Sequence, residues 1–522
     1  MNSFHERSMA TFGHPRGLAV LYLTEVWERF SFYGLKALLV LYLNSGVLSP
    51  PRFSNVLGSG VLTAAFGQPS TRLGIQALSS QINELYSGAA YITPLAGGAI
   101  ADRLLGARSA LLLGGVLMAV GHGCMACERW FLCGLLLLVM GNGLFKPTVS
   151  SILSRLYDTP ALLSLRDRGF AIFYTGINVG ALLAPLVCGE LQRSFGYDVG
   201  FGAAGVGMLV GLIVFVGGAH HIPSDSGGAG SCPPRALFEQ EDLSSNEEST
   251  ILVSKPPVSF PMMPVCARGA SESKDCRDPC CVVSTPSFGA SGAFGVSRTP
   301  RERTGRPPCH SLGSLSALCL LVVPFWVAHE QLSNTMPLFF RDHVERSVLG
   351  YELPAAWLQS LNPLFCICLM PCFTWLWGHQ ARRGAEPSPI RKMALGCLLQ
   401  GCGWLTMAVG SLTTMHAVKV SLIVPLLATL LLTSGQLFLA PVGLALVSRS
   451  APVHARSTAI GLWFLAGGVA GLLAGQVGVL YSIWKEPSFF LLLAAMCFVG
   501  AALMAKVAPR LNRMPLARMA SS

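Results

Sequence analysis

Long apolar runs alternate with short polar connectors along most of the chain. Runs of about twenty residues fall near 17–43, 84–101, 106–126, 130–153, 169–190 and 199–219, and again near 315–340, 355–377, 393–412, 418–447, 457–482 and 487–507. At 1.5 Å of rise per residue, each is long enough to cross a hydrocarbon layer of about 30 Å as a helix. The pattern therefore predicts an all-α polytopic membrane protein with about twelve transmembrane helices. One interruption stands out. Residues 220–314 are rich in Ser, Pro, Gly and Cys and carry the acidic groups Glu239-Gln-Glu-Asp242 and Glu247-Glu248, a composition that cannot bury enough apolar surface to fold. The expected organisation is an N-terminal six-helix bundle over 1–219, a disordered cytoplasmic linker over 220–314, and a C-terminal six-helix bundle with a short tail over 315–522. Two six-span halves are the arrangement of carriers that rock around a site near the membrane midplane.

Composition agrees with this. Hydrophobic residues make up 52% of the chain and charged residues 12%, whereas a soluble domain is nearer a quarter charged. The formal charge of +11 does not point to nucleic acid, because the basic residues flank apolar runs instead of forming a stripe interleaved with aromatics. Arg103 and Arg108, Arg155 with Arg166 and Arg168, Arg382 with Arg383, Arg391 and Lys392, Arg449 and Arg456, and Lys506, Arg510 and Arg513 occupy alternate connectors. The positive-inside rule places those connectors and both termini in the cytoplasm. Residues 1–16 have no apolar core, so the first span is expected to act as its own insertion signal. The plasma membrane is the expected location, an endolysosomal or vacuolar membrane the alternative. The seventeen cysteines read as small hydrophobes or reduced thiols. Cys266, Cys276, Cys280 and Cys281 are irregularly spaced with no histidine to join them, so no metal site is expected.

Charges inside the apolar runs are expensive and mark function. In Thr24-Glu-Val-Trp-Glu-Arg-Phe-Ser-Phe-Tyr-Gly-Leu-Lys36, helical geometry places Glu25, Glu28, Arg29, Phe32, Tyr33 and Lys36 within roughly one 140° sector, and Glu25 can pair with Arg29. The surrounding apolar run excludes a soluble amphipathic helix. Gly97-Gly-Ala-Ile-Ala-Asp-Arg-Leu-Leu-Gly-Ala-Arg108 combines small residues with Asp102, Arg103 and Arg108. It reads as a gating latch at a helix end, with a simple positive-inside anchor as the alternative. Lys146 precedes Pro147, which frees a carbonyl and bends its helix where a cavity is lined. Asn178 lies between two glycines, as interhelical glue or as a ligand contact. Glu330 lies in the seventh span, where it needs a proton or a cation from among Arg29, Lys36 and Lys146. A charge pair joining the halves is therefore expected. His329 projects about 100° away from Glu330 on a helix. Gln359 and Asn362 share a face, and Gln436 is the strongly polar residue ahead of Pro441. No span carries a His-Glu-x-x-His or nucleophile motif, so no enzyme is expected.

Taken together, these segments resemble the proton-coupled oligopeptide transporter family of the major facilitator superfamily. The resemblance rests on Glu25-x-x-Glu28-Arg29 with Phe30 and Tyr33-Gly34, on Gly-Asn-Gly-Leu-Phe-Lys146-Pro, Phe-Tyr-Thr-Gly-Ile-Asn178-x-Gly and Ser360-Leu-Asn362-Pro363, and on Leu462-Trp463-Phe464, in that order along the chain. It implies the major facilitator fold and proton-coupled symport of di- and tripeptides or related zwitterions, with protons as coupling ion and no cofactor. Glu25, Glu28 and Glu330 would carry protons with Arg29 beside them, and Lys36 and Lys146 would hold a peptide carboxylate. Tyr33, Tyr86, Asn178, Asn362 and Trp463 would line the site. Lys36 stands where many relatives have Arg, which keeps charge but loses the planar fork. Gln436 stands where peptide-carrying relatives commonly have the Glu that receives the peptide ammonium. His329, four residues before Ser333, resembles the nitrate-carrying branch. Nitrate or another small anion is therefore the alternative cargo, and a non-transporting receptor or scaffold, with unknown cytosolic partners for the central loop, a further one.

Overall fold

The computed structural model describes residues 13–159, 162, 165–223, 312–450 and 456–512. The expected linker falls mainly in residues 224–311, and it lies outside the described residues, as do Cys266, Cys276, Cys280 and Cys281. The first helices are α1 (Arg16–Tyr42), the short α2 (Ser59–Phe66), α3 (Arg72–Ile100), α4 (Ala107–Met125), α5 (Phe131–Leu156), α6 (Arg166–Phe195) and α7 (Tyr197–Gly218). After the interruption come α8 (Leu312–Glu330), α9 (Thr335–His343), α10 (Leu361–Arg382), α11 (Pro389–Gly410), α12 (Ile423–Ser450), α13 (Arg456–Ile483) and α14 (Glu486–Asn512). A two-stranded hairpin of β1 (Ser347–Val348) and β2 (Tyr351–Glu352) follows α9. Among the described residues, eleven helical segments are long and apolar enough to cross a membrane.

The twelfth expected span is α3, which is long enough at 29 residues but too polar in its first half. Its start moves from the expected residue 84 to Arg72, where the Thr71 hydroxyl accepts from Gly74 N at 3.1 Å and caps the helix. Gln76, Gln81, Asn83 and Glu84 broke the apolar run, yet α3 tolerates them because Asn83 and Glu84 face protein. The seventh expected span also differs, because it breaks directly after Glu330 into α8 and α9. At the break, Gln331 donates to Ala474 O of α13 at 2.8 Å, and Asn334 donates to Gln331 Oε1 at 3.3 Å. Backbone turn bonds replace the helical ones there, Leu332 N to His329 O and Ser333 N to Glu330 O, each at 3.0 Å, while the two side chains tie the break to α13.

Pro147 does not interrupt α5, which continues to Leu156. It does leave Gly143 O without its helical donor, and Gly97 of α3 packs onto that carbonyl. A Cβ on Gly97 would lie 2.0 Å from Gly143 O, so only glycine permits this approach. Gly97→Ala is expected to force α3 and α5 apart at a cost of about 1–3 kcal/mol. The check is the thermal unfolding midpoint in detergent against Gly123→Ala, where a Cβ meets nothing within 4 Å. Equal midpoints for the two variants would refute the contact.

Candidate functional site

One helix, α1, supplies most of the buried charge. Arg29 lies between two carboxylates of its own helix: its Nη2 donates to Glu28 Oε1 at 2.7 Å, its Nε bonds Glu28 Oε2, and its Nε is 3.2 Å from Glu25 Oε1. Glu25 Oε2 has no hydrogen-bond partner. The guanidinium also sits 5.0 Å over the Phe32 ring, a cation–π contact strengthened by burial. All three ionisable side chains are buried. Two turns further along, Lys36 Nζ donates to Glu330 Oε2 at 2.9 Å. This pair is buried on both sides and bridges helices before and after the interruption. The expected cross-half charge pair is therefore present. Of the three candidate cations, Lys36 is the one that forms it.

Lys146 has a different neighbour. Its Nζ sits 4.7 Å over the ring of Tyr91 of α3, and no carboxylate lies within ion-pair distance among the described residues. Of the expected lining residues, Tyr33 is half-buried, with its ring edge-on to Phe32 at 5.3 Å. Tyr86 is buried behind Phe32, stacked on it at 6.0 Å. Asn178 is half-buried and bonds Tyr174 O of its own helix at 3.1 Å, beside a Tyr174 side chain that is 47% exposed. Asn362 and Gln436, from α10 and α12, meet directly: Asn362 Nδ2 donates to Gln436 Oε1 at 2.9 Å and to Thr433 Oγ1 at 3.1 Å.

Several expected residues stand elsewhere. His329 does not join the charge pair, because its ring stacks on Phe325 at 5.9 Å and edge-on to Trp326 at 5.5 Å. Trp463 is a core residue, buried to 5% exposure and filling the space that a side chain on Gly443 would take. Its bulk completes α12 packing instead of lining an open surface. Asp102 and Arg103, expected to form a latch, are exposed and unpaired among the described residues. Arg108 instead binds Ala219 O at 2.9 Å and Ile222 O, which pins the start of α4 to the end of α7.

Two residues went unnoticed in the sequence. Tyr91 carries no charge and looks like any apolar-run aromatic. The apolar pattern puts Glu84 at the edge of a span, whereas α3 sets it twelve residues inside the helix, with 0% exposure. The signal was available in Ser80, Asn83, Glu84 and Ser87, polar residues spaced 3, 4 and 7 apart on one helical face.

The side-chain hydrogen bonds between the two sets of helices share one location among the described residues. Tyr351 donates to Glu190, Trp357 to Leu186 O at 3.1 Å, Ser360 to Leu182 O at 2.8 Å, and Arg341 to Asn44 Oδ1 at 2.8 Å. With Lys36–Glu330 and Gln81–Gln476, they lie in the half of the molecule away from the starts of α1 and α8. Arg193 adds a cation–π contact 4.8 Å from the Tyr351 ring. The bond to Glu190 raises the Tyr351 phenol above its ordinary range, since ionising it would set two anions together.

Long membrane-crossing helices arranged around paired buried charges, one end tied and the other carrying half-exposed polar groups, define a multi-pass carrier of the major facilitator type. Sequence comparison narrows this. A profile of the POT family (PTR2) matches residues 108–237 and 308–488, and the chain belongs to that family. It is 32% identical over 502 residues to the peptide transporter YePEPT of Yersinia enterocolitica, covering 90% of this chain and 88% of that one. It is 29% identical over 498 residues to a di-/tripeptide transporter of Lactococcus lactis subsp. cremoris, covering 94% of each chain. A crystal structure of a mutant peptide transporter POT in complex with alafosfalin superposes with a TM-score of 0.73 at 28% identity, covering 97% of both chains.

Proposed function

We propose that the protein is a proton-driven symporter of di- and tripeptides or closely related zwitterions, working by alternating access between a six-helix half over 1–219 and another over 315–522. The observation that carries this reading is the buried Lys36–Glu330 bond, which joins the two sets of helices inside the membrane. A bond that holds two halves together must break when they rock, and a peptide carboxylate drawn to Lys36 or a proton on Glu330 would break it. Lys146, held over a ring instead of by a carboxylate, is placed to receive the peptide's anionic end. With the basic connectors and both termini on the cytoplasmic side, as the positive-inside rule implies, the tied end faces outward and the half-exposed polar groups face inward. Asp102 and Arg103 would then engage when the cytoplasmic side closes. The plasma membrane remains the expected location, with an endolysosomal or vacuolar membrane as the alternative.

A small anion is the second reading, favoured by Gln436. One of its two supports weakens, because His329 stacks on Phe325 and Trp326 away from the pair. Gln436→Glu separates the two cargoes. A carboxylate there gives a peptide ammonium a charge-assisted bond, worth about 1 kcal/mol more than a neutral one, and peptide KM is expected to fall several-fold. For nitrate, the same carboxylate repels the cargo and uptake drops. The test is uptake of labelled dialanine and labelled nitrate into proteoliposomes under an imposed proton gradient. Wild-type protein that accumulates nitrate but not dialanine would overturn the peptide reading.

A further inference from the structure

Lys36 lies between two buried carboxylates. It bonds Glu330 of α8, and Glu84 of α3 is close enough to interact electrostatically with both Lys36 and Glu330. The Glu84 side chain has 0% exposure. Its Oε1 accepts from Asn83 Nδ2 at 2.8 Å, while Oε2 has no partner. The remaining wall is α13, which meets Glu84 with glycines: a Cβ on Gly475 would lie 3.1 Å from Glu84 Cβ, and one on Gly471 would lie 3.8 Å from Glu84 O. The charged groups that interact with Glu84 are therefore Lys36 from α1 and Glu330 from α8. One lysine cannot neutralise two buried carboxylates, and a second buried negative charge would be severely penalised.

We infer that Glu84 is a third carboxylate of the coupling network and the alternative partner of Lys36. In one arrangement Lys36 is bonded to ionised Glu330 and the single proton sits on Glu84. In the other, Glu330 has taken the proton and the ammonium has passed to ionised Glu84. Each arrangement contains one ammonium, one carboxylate and one carboxylic acid, so the exchange conserves protons and charge. The first arrangement ties the two sets of helices together and the second keeps Lys36 within the first set, so the position of one proton sets whether the halves are joined. This inference rests on the proton-coupled carrier reading, but its test does not require a substrate.

The test is infrared difference titration of the purified full-length protein, reading the stretch of buried protonated carboxyl groups. Wild-type protein is expected to show a buried carboxylic acid that Glu84→Gln removes. In Glu330→Gln the ammonium has only Glu84 to pair with, so the Glu84 band is expected to disappear over the same pH range. Lys36→Ala is expected to show two buried acids. If Glu84→Gln does not fold, Glu84→Asp serves instead, because it should shift the band without deleting it. A Glu84 band unchanged by Glu330→Gln overturns the inference, as does a spectrum that neither Glu84 variant alters. Labelled dialanine uptake by the wild type, measured in parallel, reports separately on the peptide reading: its failure with the infrared pattern intact leaves the handover standing and removes only the assigned cargo.

Discussion

Lys36→Ala is expected to abolish concentrative uptake and to destabilise the protein, more at neutral than at acid pH. The lysine is buried and its bond to Glu330 is 2.9 Å long. Removing one partner of such a pair costs about 3–5 kcal/mol, because the other charge stays buried without compensation. In the alanine variant that charge belongs to Glu330, and a proton can neutralise it. The penalty is thus present when the carboxylate is ionised and fades as pH falls. The double variant Lys36→Ala with Glu330→Gln removes the carboxylate that the lysine had balanced, and its unfolding midpoint should lie above that of Lys36→Ala alone. Neither variant is expected to concentrate substrate, since both have lost the bond between the halves. Thermal melts at two pH values and gradient-driven uptake read both parts. Wild-type uptake by Lys36→Ala would sink the assignment of this pair to the transport cycle.

Long continuous apolar runs were legible in the sequence, whereas polar residues inside a helix packed against protein were not. The α1, α5 and α7 runs are long and mostly apolar despite the charges buried in α1, and their expected limits lie within about four residues of the observed ones. By contrast, the expected span starts only at residue 84 although α3 starts at Arg72, because Gln81 and Asn83 interrupt the apolar pattern ahead of it. Hydropathy measures the cost of exposing a residue to lipid, and those side chains pay nothing of the kind when they pack against α13. The Glu25–Glu28–Arg29 cluster was legible because it lies on one helix, where spacing alone fixes geometry. The choice of Lys36 over Lys146 as partner of Glu330 was not, since it depends on how α1, α5 and α8 pack. Trp463 illustrates the same limit from the other side: its place in the motif says nothing about whether the ring faces a cavity or the space left by Gly443.

Glu28→Gln is expected to abolish uptake driven by a proton gradient while leaving exchange of substrate across the membrane. With every group ionised, Glu25, Glu28 and Arg29 carry a net charge of −1 inside the protein, and burial makes that surplus unfavourable. Arg29 is already committed to Glu28 through two contacts, which leaves Glu25 with one contact at 3.2 Å and Oε2 bare. A proton completes the cluster by neutralising this poorly held second carboxylate. In Glu28→Gln the amide replaces the carboxylate at nearly the same size, Arg29 can turn to Glu25, and the cluster is neutral with no proton bound. Its demand for a proton disappears, so a pH difference no longer biases the cycle. The helices still pack and the Lys36–Glu330 bond is untouched, so movement of labelled dipeptide against unlabelled dipeptide should continue. Counterflow and gradient-driven uptake, measured on the same proteoliposomes, separate the two. Gradient-driven accumulation at the wild-type rate would show that this cluster does not couple protons to transport, and loss of counterflow along with it would indicate a structural role for Glu28.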